Sequence, residues 1–254
     1  MRVIAVANQK GGSSKTTVSV NLASGLAEQG KRTLLIDIDP QANASQWFGI
    51  HDNGRGLLDV FVDNGNLIDI IHKTPFGVDV APSSTWMIQA ERLLLGEVGA
   101  ETILRRKLEA LPHGKWDYVL IDCPPNLGIL VINALVAAKE VIVPVLAQIL
   151  SVVGLSQLLE TLEVVKDRIN PKVAISGIVA CRFDARTRHS QDVMKILKDR
   201  FGNLVYNSII RENIRIAEAP SFSQPVSVYD PHSRGTSDFR ELAKEIIAQE
   251  GALS

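Results

Sequence analysis

Residues 8–41 read NQKGGSSKTTVSVNLASGLAEQGKRTLLIDIDPQ, and this stretch decides the fold. It opens with a short loop, GGSSKT at 11–16, which follows an apolar run at 3–7 and leads into a helical pattern that stops at Gly30. A strand, a glycine-containing loop and a helix in this order form the setting of a phosphate-binding loop. The stretch therefore predicts an α/β protein with a phosphate site near its start.

The rest of the chain repeats the alternation of strand and helix. Continuous apolar runs of this length, separated by helical patterns, are typical of buried parallel strands. We therefore expect an α/β fold, a doubly wound and mostly parallel sheet with helices on both faces, formed by one domain over residues 1–254. The expected strands are 3–7, 33–39, 78–83, 117–124, 140–145, 174–183 and 204–210, and the expected helices run from about Thr16 to Gln29, Gly154 to Asn170, Ser190 to Arg200 and Thr236 to Ala248.

Composition narrows the class of protein. No apolar run reaches the roughly 18 to 20 residues that span a bilayer, and MRVIAVANQK reads as a strand rather than a signal peptide, so we expect a cytoplasmic protein. Cys123 and Cys181 lack metal-ligand spacing and are expected to be buried thiols. The net charge is −1, yet the segment 181–215 carries eight Lys and Arg against four Asp and Glu. This local excess indicates a basic surface on an otherwise acidic chain.

The glycine loop predicts nucleotide contacts. Backbone N–H groups of such a loop turn towards phosphate oxygens, and the start of the helix adds the positive end of its dipole. Lys15 would then reach the β- and γ-phosphates, while the Thr16 hydroxyl would bind magnesium. Gln9 and Ser14 stand where the common pattern GxxxxGK[ST] has glycines, so a Ser/Gly-rich turn is the alternative. The expected ATP-binding residues are Gly11, Gly12, Ser13, Ser14, Lys15, Thr16 and Thr17.

Aspartates follow two of the expected strands. Asp37 and Asp39 end the run LLIDID, and Asp122 ends the run YVLID. Carboxyl ends of parallel strands meet at one edge of a sheet, and a carboxylate there is costly unless a cation meets it. Magnesium and its waters would supply that charge; the alternative is that Asp122 caps a turn and that one of the pair at 37 and 39 is structural.

These blocks resemble the ParA/MinD family of deviant Walker-motif ATPases, and in particular its Soj-like ParA branch. The resemblance implies a dimer that sandwiches ATP, binds duplex DNA without sequence preference, and hydrolyses ATP slowly when a partner stimulates it. The blocks that carry it cover almost the whole chain: NQKGGxxKTT, LLIDIDPQANAS, DYVLIDCPPNLGILVINAL, VIVPV with GLSQLLETL, DART and NIRIAEAPSFSQPVSVYDPHSRG.

The resemblance also implies roles for single residues. Lys10, which precedes the glycines, would cross the dimer interface to phosphates held by the other subunit, so that two lysines serve two different subunits. Asp39 would orient the attacking water, and Thr17 would touch the α-phosphate. Asp37 would lie near the magnesium shell, and Asp122 would hold magnesium through water. The implied catalytic residues are thus Lys10, Lys15 and Asp39, and the implied metal residues are Thr16, Asp37 and Asp122.

Arg186 in DART and Arg215 in NIRIAEAP match arginines that the family uses for non-specific DNA binding. No aromatic residues interleave with the basic cluster as a stacking platform for single strands requires, so contacts with a duplex backbone are favoured. A solvated helix face is the alternative. Residues that would extend the surface are Arg182, Arg188, Lys195, Lys198 and Arg211.

The family resemblance leaves the cargo open: a plasmid, a chromosome origin, or a protein assembly such as carboxysomes or chemoreceptor clusters. A ParB-like or cargo-adaptor protein would stimulate hydrolysis, and the protein would be nucleoid-associated. One alternative is a MinD-like membrane-cycling regulator, although the tail FRELAKEIIAQEGALS is acidic. Another is an iron–sulfur ATPase like the nitrogenase iron protein, although Cys123 and Cys181 lack its spacing.

The chain departs from the family at three places. Ser14 replaces a common glycine, and its side chain would crowd the loop or bond a phosphate or the partner chain. The segment LAQILSVVG at 146–154 has Gln148 and Val153 where carboxylates are usual. IREN at 210–213 replaces IPRN, which leaves the adenine contacts open.

Overall fold

The computed structural model describes residues 1–51, 54, 56–147 and 153–250. Its strands are β1 Arg2–Val6, β2 Thr33–Asp37, β3 His72–Lys73, β4 Val78–Ala81, β5 Tyr118–Asp122, β6 Glu140–Leu146, β7 Ala174–Phe183 and β8 Ile210–Arg211. Its α-helices are α1 Lys15–Glu28, α2 Asn43–Trp47, α3 Leu57–Val62, α4 Ile88–Leu93, α5 Ile103–Glu109, α6 Ile129–Ala137, α7 Val153–Arg168, α8 Arg188–Phe201, α9 Ile214–Glu218, α10 Val226–Tyr229 and α11 Arg234–Ala248.

In the described part of the chain, the strands form one eight-stranded sheet in the order β3-β4-β2-β5-β1-β6-β7-β8. Every neighbouring pair is parallel except β3 and β4, which are antiparallel. β1 lies between β5 and β6, so the loop that follows it starts at the middle of the sheet. The expected doubly wound α/β fold is confirmed.

Both faces of the sheet are buried. In β1, Val3 and Ala5 belong to one apolar core, and Ile4 and Val6 belong to a second core on the opposite face. This alternation follows from the strand period of two, and it explains why the run VIAVA is apolar throughout. Helices must therefore cover each face.

Helix α11 covers one of these faces by packing closely on α1. A Cβ at Gly25 would lie 3.1 Å from the Phe239 carbonyl oxygen and 3.2 Å from the Ala243 Cβ, so the glycine permits the close approach of the two helices. Leu242 and Ile246 are fully buried beside it. The apolar face of the last helix is therefore part of the core.

The expected strand at 204–210 is wrong. Only Ile210 and its neighbour are in β8, and Val205 makes an isolated bridge with Ile178 of β7. The backbone N–H groups of Asn207 and Ser208 donate instead to the Glu245 carboxylate of α11, each at 2.8 Å. A side chain from a distant helix thus takes the hydrogen bonds that a strand would have used. The other six expected strands are confirmed: β2, β4 and β5 are shorter than predicted, and β1, β6 and β7 agree with the predicted bounds to within one residue. The antiparallel β3 was not anticipated.

A buried ion pair joins the amino ends of β1 and β6. Arg2 donates to both carboxylate oxygens of Glu140, at 2.8 and 2.5 Å, and also to the Ile246 carbonyl at 2.7 Å. The Glu140 side chain is only 9% exposed. Removing one partner of such a pair leaves an uncompensated charge in the interior.

We therefore expect Glu140→Ala to lower the free energy of unfolding by about 3 kcal/mol, measured by urea denaturation. Glu241→Ala is the matched control, because Glu241 is exposed and pairs only with Lys244 three residues on, at 2.8 Å. Its effect should stay within about 0.5 kcal/mol. Equal effects of the two substitutions would contradict the structural role given to Glu140.

Candidate functional site

A cavity of about 600 Å³ opens at the carboxyl edge of the sheet, above β1. Residues 11–17, between β1 and the first turn of α1, form its floor, and Asp39 lies on one side. The opposite side is formed by Arg211, Asn213 and Ile216, which lie in and after β8. The cavity therefore contains every residue expected to bind ATP and is large enough for a nucleotide.

Asn8 fixes the start of the loop. Its side-chain amide donates to the Pro144 carbonyl of β6 at 2.6 Å, and its Oδ1 accepts from the Lys10 N–H at 3.0 Å. Asn8 is 2% exposed, and sequence reasoning did not single it out. The signal was present, because an asparagine that directly follows a strand commonly bonds the backbone two residues on.

Two loop residues adopt the left-handed conformation. Gly12 has φ of 71°, which glycine adopts without steric cost. Ser14 has φ of 71° and ψ of 23°, a conformation that costs an L-residue with a side chain about 1 kcal/mol or more. The loop is therefore strained at the position where the family commonly has glycine.

We expect Ser14→Gly to raise the free energy of unfolding by about 1 kcal/mol, because glycine relieves this strain. Urea denaturation without nucleotide measures the change. Ser237→Gly, in the exposed face of α11, is the control and should lower the same quantity by up to about 1 kcal/mol. If Ser14→Gly is destabilising, the serine hydroxyl makes a contact worth more than the strain.

Lys15 is held inside the cavity. It is 6% exposed, and its Nζ lies 3.5 Å from the Lys10 carbonyl oxygen. Burial lowers the pKa of Lys15, and the negative charges of Asp122 and Asp39 act in the opposite direction. The buried ammonium group of Lys15 lies beside the loop, where it can donate charge-assisted hydrogen bonds to phosphate oxygens.

Asp122 ends β5 beneath the loop. Its carboxylate accepts hydrogen bonds from the Thr16 hydroxyl at 2.8 Å and from the Ser19 hydroxyl at 2.7 Å. It is fully buried, and this burial raises its pKa, while the two hydroxyls act in the opposite direction. The structure thus brings the expected metal residues Thr16 and Asp122 together, and it adds Ser19, one turn further along α1.

Asp37 makes a different set of contacts. Its carboxylate accepts from the Asp39 N–H at 3.1 Å, and from the N–H and hydroxyl of Ser45 at 2.8 and 2.7 Å. Burial raises the pKa of Asp37, and the charge of Asp122 adds to the effect. These bonds fix the turn that connects β2 to α2; the magnesium role of Asp37 stays a prediction.

Asp39 faces the cavity. It is 6% exposed, and its Oδ1 accepts from the Gln41 N–H at 2.9 Å. The hydrogen bond from its own N–H to Asp37 fixes the backbone at this point. Of the two aspartates in the LLIDID run, Asp39 is therefore the one whose side chain borders the space where a nucleotide would lie.

The arrangement fits a nucleotide with a divalent cation. The Ser13 hydroxyl is buried without a hydrogen-bond partner, and the space in front of Gly11 and Gly12 is open. The charge of Asp39 adds to the burial that raises the pKa of Asp122, and a divalent cation nearby would offset this negative charge. Among the described residues, no three His, Cys, Asp or Glu side chains converge into a metal cluster.

The predicted DNA arginines lie at the same edge, beyond β7 and β8. Arg186 forms a two-point ion pair with Asp184, at 2.9 and 2.8 Å, and this contact lowers the pKa of Asp184 to about 2. Arg215 pairs with Glu218 at 2.9 Å and with Asp230 at 3.3 Å. Because β7 and β8 are parallel neighbours, the turn after β7 that carries Arg186 and the short helix α9 after β8 that carries Arg215 both follow the same edge of the sheet.

The remaining basic residues fall into two groups. Arg182 and Arg211 line the nucleotide cavity, where they pair with Glu212 and Asp238, so they do not lie apart from it on a purely basic surface. Arg188, Lys195 and Lys198 are exposed on α8, and their side chains make no ion pair with any described residue. The DNA role of all these residues stays a prediction.

Both cysteines are buried free thiols, as expected. Burial raises the pKa of Cys181 to about 12. Cys123 follows β5 and Cys181 lies in β7, so β1 and β6 separate them in the sheet. Three strand spacings amount to about 14 Å, too far for the two thiols of one subunit to share a cluster.

Gln148 lies outside the described residues, as does most of the altered segment around it.

Comparison with known proteins gives consistent matches. A family model described as an AAA domain matches residues 1–175. The sporulation initiation inhibitor protein Soj of Bacillus subtilis (strain 168) is 43% identical over 250 residues, which cover 97% of this chain and 98% of that protein. The chromosome partitioning protein ParA of Caulobacter vibrioides (strain NA1000 / CB15N) is 41% identical over 255 residues, which cover 98% and 95%.

A solved structure gives the same picture of the fold. The cobyrinic acid a,c-diamide synthase of Mycobacterium smegmatis, with bound ATP analog and magnesium, superimposes with a TM-score of 0.86 at 33% identity. The match covers 98% of this chain and 96% of that one.

Proposed function

Because the chain belongs to the ParA and Soj family of nucleotide-binding P-loop proteins, we propose that it is an ATPase that dimerises with ATP, binds duplex DNA without sequence preference, and positions or segregates a cargo. Hydrolysis is slow and is stimulated by a ParB-like or cargo-adaptor protein. The protein is cytoplasmic and associates with the nucleoid. Which plasmid, chromosome or protein assembly serves as cargo is a property of the adaptor.

One observation carries the proposal: the loop that forms the floor of a cavity of nucleotide size includes Lys15, and a second lysine, Lys10, directly precedes that floor. Lys15 is buried beneath the loop, whereas Lys10 is half-buried at the start of the loop. One lysine suffices for the phosphates of one nucleotide. A second lysine at the rim is explained by a second nucleotide, which a facing subunit brings within reach.

The residues of the site position the reactants and offset charge. The loop N–H groups and Lys15 bind the phosphates, and Asp39 accepts a hydrogen bond from the attacking water. Magnesium, held by the Thr16 hydroxyl and by Asp122 through water, would neutralise charge on the β- and γ-phosphates. Lys10 acts on the nucleotide of the other subunit. The positions of residues 11–17 and Asp39 around the cavity support the assignments made to them.

The DNA surface is formed by Arg186 and Arg215 together with the exposed cations of α8. Backbone phosphates require positive charge without base readout, which fits exposed arginines at a sheet edge. Both arginines keep their side chains at the surface, 89% and 48% exposed, so they can reach phosphates in spite of their ion pairs. These pairs are weak in water and exchange readily.

The membrane alternative receives little support. No helix in the described part of the chain has the length and apolar character to cross a membrane. A MinD-like protein would instead need a free amphipathic helix at the end of the chain. In α11 the apolar residues Phe239, Leu242 and Ile246 are buried in the core. They are not available to a lipid surface in this conformation.

The first test measures binding to a labelled duplex of arbitrary sequence with ATP, with ADP and without nucleotide. We expect binding only with ATP, and we expect Arg215→Ala to weaken it at least about tenfold and to reduce its salt dependence. Arg240→Ala is the control, because Arg240 pairs with Glu28 at 2.8 Å on the α1 side of the molecule. It should bind like the native protein.

Dimerisation of Arg215→Ala, measured by light scattering, should be unchanged. If the native protein binds DNA equally with every nucleotide, or not at all, the DNA part of the proposal is wrong. A membrane or a protein scaffold would then be the surface along which cargo is positioned.

A further inference from the structure

An apolar strip lies outside the nucleotide cavity. It consists of Trp86, Ile88, Leu93, Leu95 and Val98, whose exposed fractions are 49, 62, 48, 85 and 102%. Twelve large apolar residues of the described chain are exposed, and five of them fall within these thirteen positions. Monomeric proteins seldom leave such a concentration of apolar surface in water unless another molecule covers it.

The strip is the outer face of a segment whose inner face packs in the core. Met87, Ala90 and Leu94 of the same segment are buried in the core between the sheet and its helices. Trp86 and Ile88 flank Met87, Leu93 and Leu95 flank Leu94, and these four side chains are exposed where their neighbours are buried. The segment is therefore packed on the core, and the strip belongs to its outer surface.

The strip lies at the edge of the sheet that carries the nucleotide cavity. Its segment follows the carboxyl end of β4, and the Asn126 side-chain amide donates to Glu91 Oε1 of α4 at 2.7 Å. Asn126 belongs to the turn 123–128 that follows Asp122, and Pro125 of this turn lines the cavity. One hydrogen bond thus joins the strip to the turn beneath the nucleotide.

Charges within the strip suit a second copy of the same chain. Arg92 lies on the outer face of α4 near Ile88, and Glu97 lies between Leu95 and Val98; both are exposed, and neither side chain forms an ion pair with a described residue. In a two-fold contact, the same surface meets itself and each pair occurs twice. Arg92 of one copy can then meet Glu97 of the other. A purely basic partner would instead meet Arg92 within the strip.

We propose that the strip from Trp86 to Val98 is a contact between two copies of this chain, formed when both hold ATP. The inference rests on the proposed ATP-dependent dimer and names a surface for it outside the phosphate loop. The Glu91–Asn126 hydrogen bond connects this contact to the turn after Asp122. Formation of the dimer and the shape of the nucleotide site are then linked through α4.

Tryptophan fluorescence tests the proposal directly. Trp47 and Trp116 are 6% and 3% exposed, so Trp86 is the accessible indole, and Trp86→Phe supplies the background signal. The full-length protein is titrated with acrylamide, with magnesium and either a non-hydrolysable ATP analogue or ADP. We expect quenching of Trp86 to fall at least threefold with the analogue, and to fall with protein concentration in step with the dimer fraction from light scattering.

Substitution provides the second arm. Leu95→Glu places like charges at the contact, so the dimer dissociation constant should rise at least tenfold while ATP affinity of the monomer changes less than twofold. Val164→Glu, at another exposed apolar position on α7, is the control and should leave both quantities unchanged. Because Leu95 is 85% exposed, the substitution should leave folding intact, and circular dichroism checks this.

Three results would overturn the inference. If the native protein dimerises with the analogue while Trp86 stays as accessible as with ADP, another molecule covers the strip and the proposed ATPase function survives. If Leu95→Glu dimerises as tightly as the native protein, the strip is not part of the contact. If light scattering finds no dimer with the analogue, the proposed dimer itself is wrong, and the inference falls with it.

Discussion

Lys10→Ala is expected to weaken ATP-dependent dimerisation at least about 100-fold while leaving the ATP affinity of the monomer within about threefold of the native value. The reason lies in the position of the two lysines. Lys15 is buried in the phosphate loop of its own chain and lines the cavity, where it would meet the phosphates of that chain's nucleotide. Lys10 lies at the start of the loop. Two nucleotides that face each other across the dimer interface bring several negative charges together there, and Lys10 would offset them.

Light scattering with a non-hydrolysable ATP analogue measures dimerisation, and a fluorescent nucleotide measures monomer affinity. Lys31→Ala is the control, since Lys31 pairs with Glu250 at the opposite end of the sheet. Lys15→Ala should behave differently from both, because it loses nucleotide binding first and dimerisation as a consequence.

A mixing experiment separates action across the interface from action within one chain. Lys10→Ala retains Asp39 and binds ATP, whereas Asp39→Asn retains Lys10 and also binds ATP but does not hydrolyse it. In a mixed dimer, the ATP of the first chain receives Lys10 from the second, so the mixture should recover part of the ATPase activity that each variant lacks alone. Absence of any recovery, with mixed dimers present, would show that Lys10 acts on its own nucleotide.

The strand pattern was predictable because β1, β2, β5, β6 and β7 are buried on both faces, so that their local composition and their environment agree. The family resemblance read from the motif blocks is also confirmed by the relatives. The segment 204–210 has the same apolar composition, yet its hydrogen bonds go to Glu245, which is distant in sequence. A local sequence pattern does not show that a distant side chain will accept these backbone hydrogen bonds.

Site residues were predictable where a loop motif fixes them, and less so where long-range contacts decide. Asn8 and Ser19 were missed because their partners, Pro144 and Asp122, come more than a hundred residues later. Arg182 was placed with the DNA surface on charge alone, whereas the pairing of β7 with β8 turns it to the nucleotide cavity. Charge counting gives the sign of a surface but not its location.

Asp37 and Asp39 show the same limit at close range. The run LLIDID presents both as candidates, and nothing in the letters distinguishes them. The structure separates them. The Asp37 carboxylate accepts hydrogen bonds from Asp39 and Ser45 inside the protein, whereas Asp39 borders the cavity. The two positions therefore allow a paired test in which substitutions two residues apart have different consequences.

Asp39→Asn is expected to lower the ATP hydrolysis rate at least about 100-fold while the ATP-bound dimer and its DNA binding persist. An amide cannot accept a proton from water as a carboxylate does, and loss of a positioned base commonly costs a factor of 10² to 10⁴. Size and hydrogen-bonding shape are otherwise kept, so binding should be spared. Release of radioactive phosphate measures hydrolysis, and light scattering and duplex binding measure the rest.

Asp37→Asn is the matched comparison. Its amide nitrogen would face N–H and O–H donors of Asp39 and Ser45, which leaves a buried donor unsatisfied and lowers the free energy of unfolding by about 1 to 3 kcal/mol. Any loss of hydrolysis should then accompany weaker nucleotide binding and reduced stability. If Asp39→Asn instead hydrolyses ATP at the native rate, the water is positioned by another group. If Asp37→Asn alone stops hydrolysis with stability intact, Asp37 belongs to the reacting centre, and its contacts with Ser45 must rearrange when ATP binds.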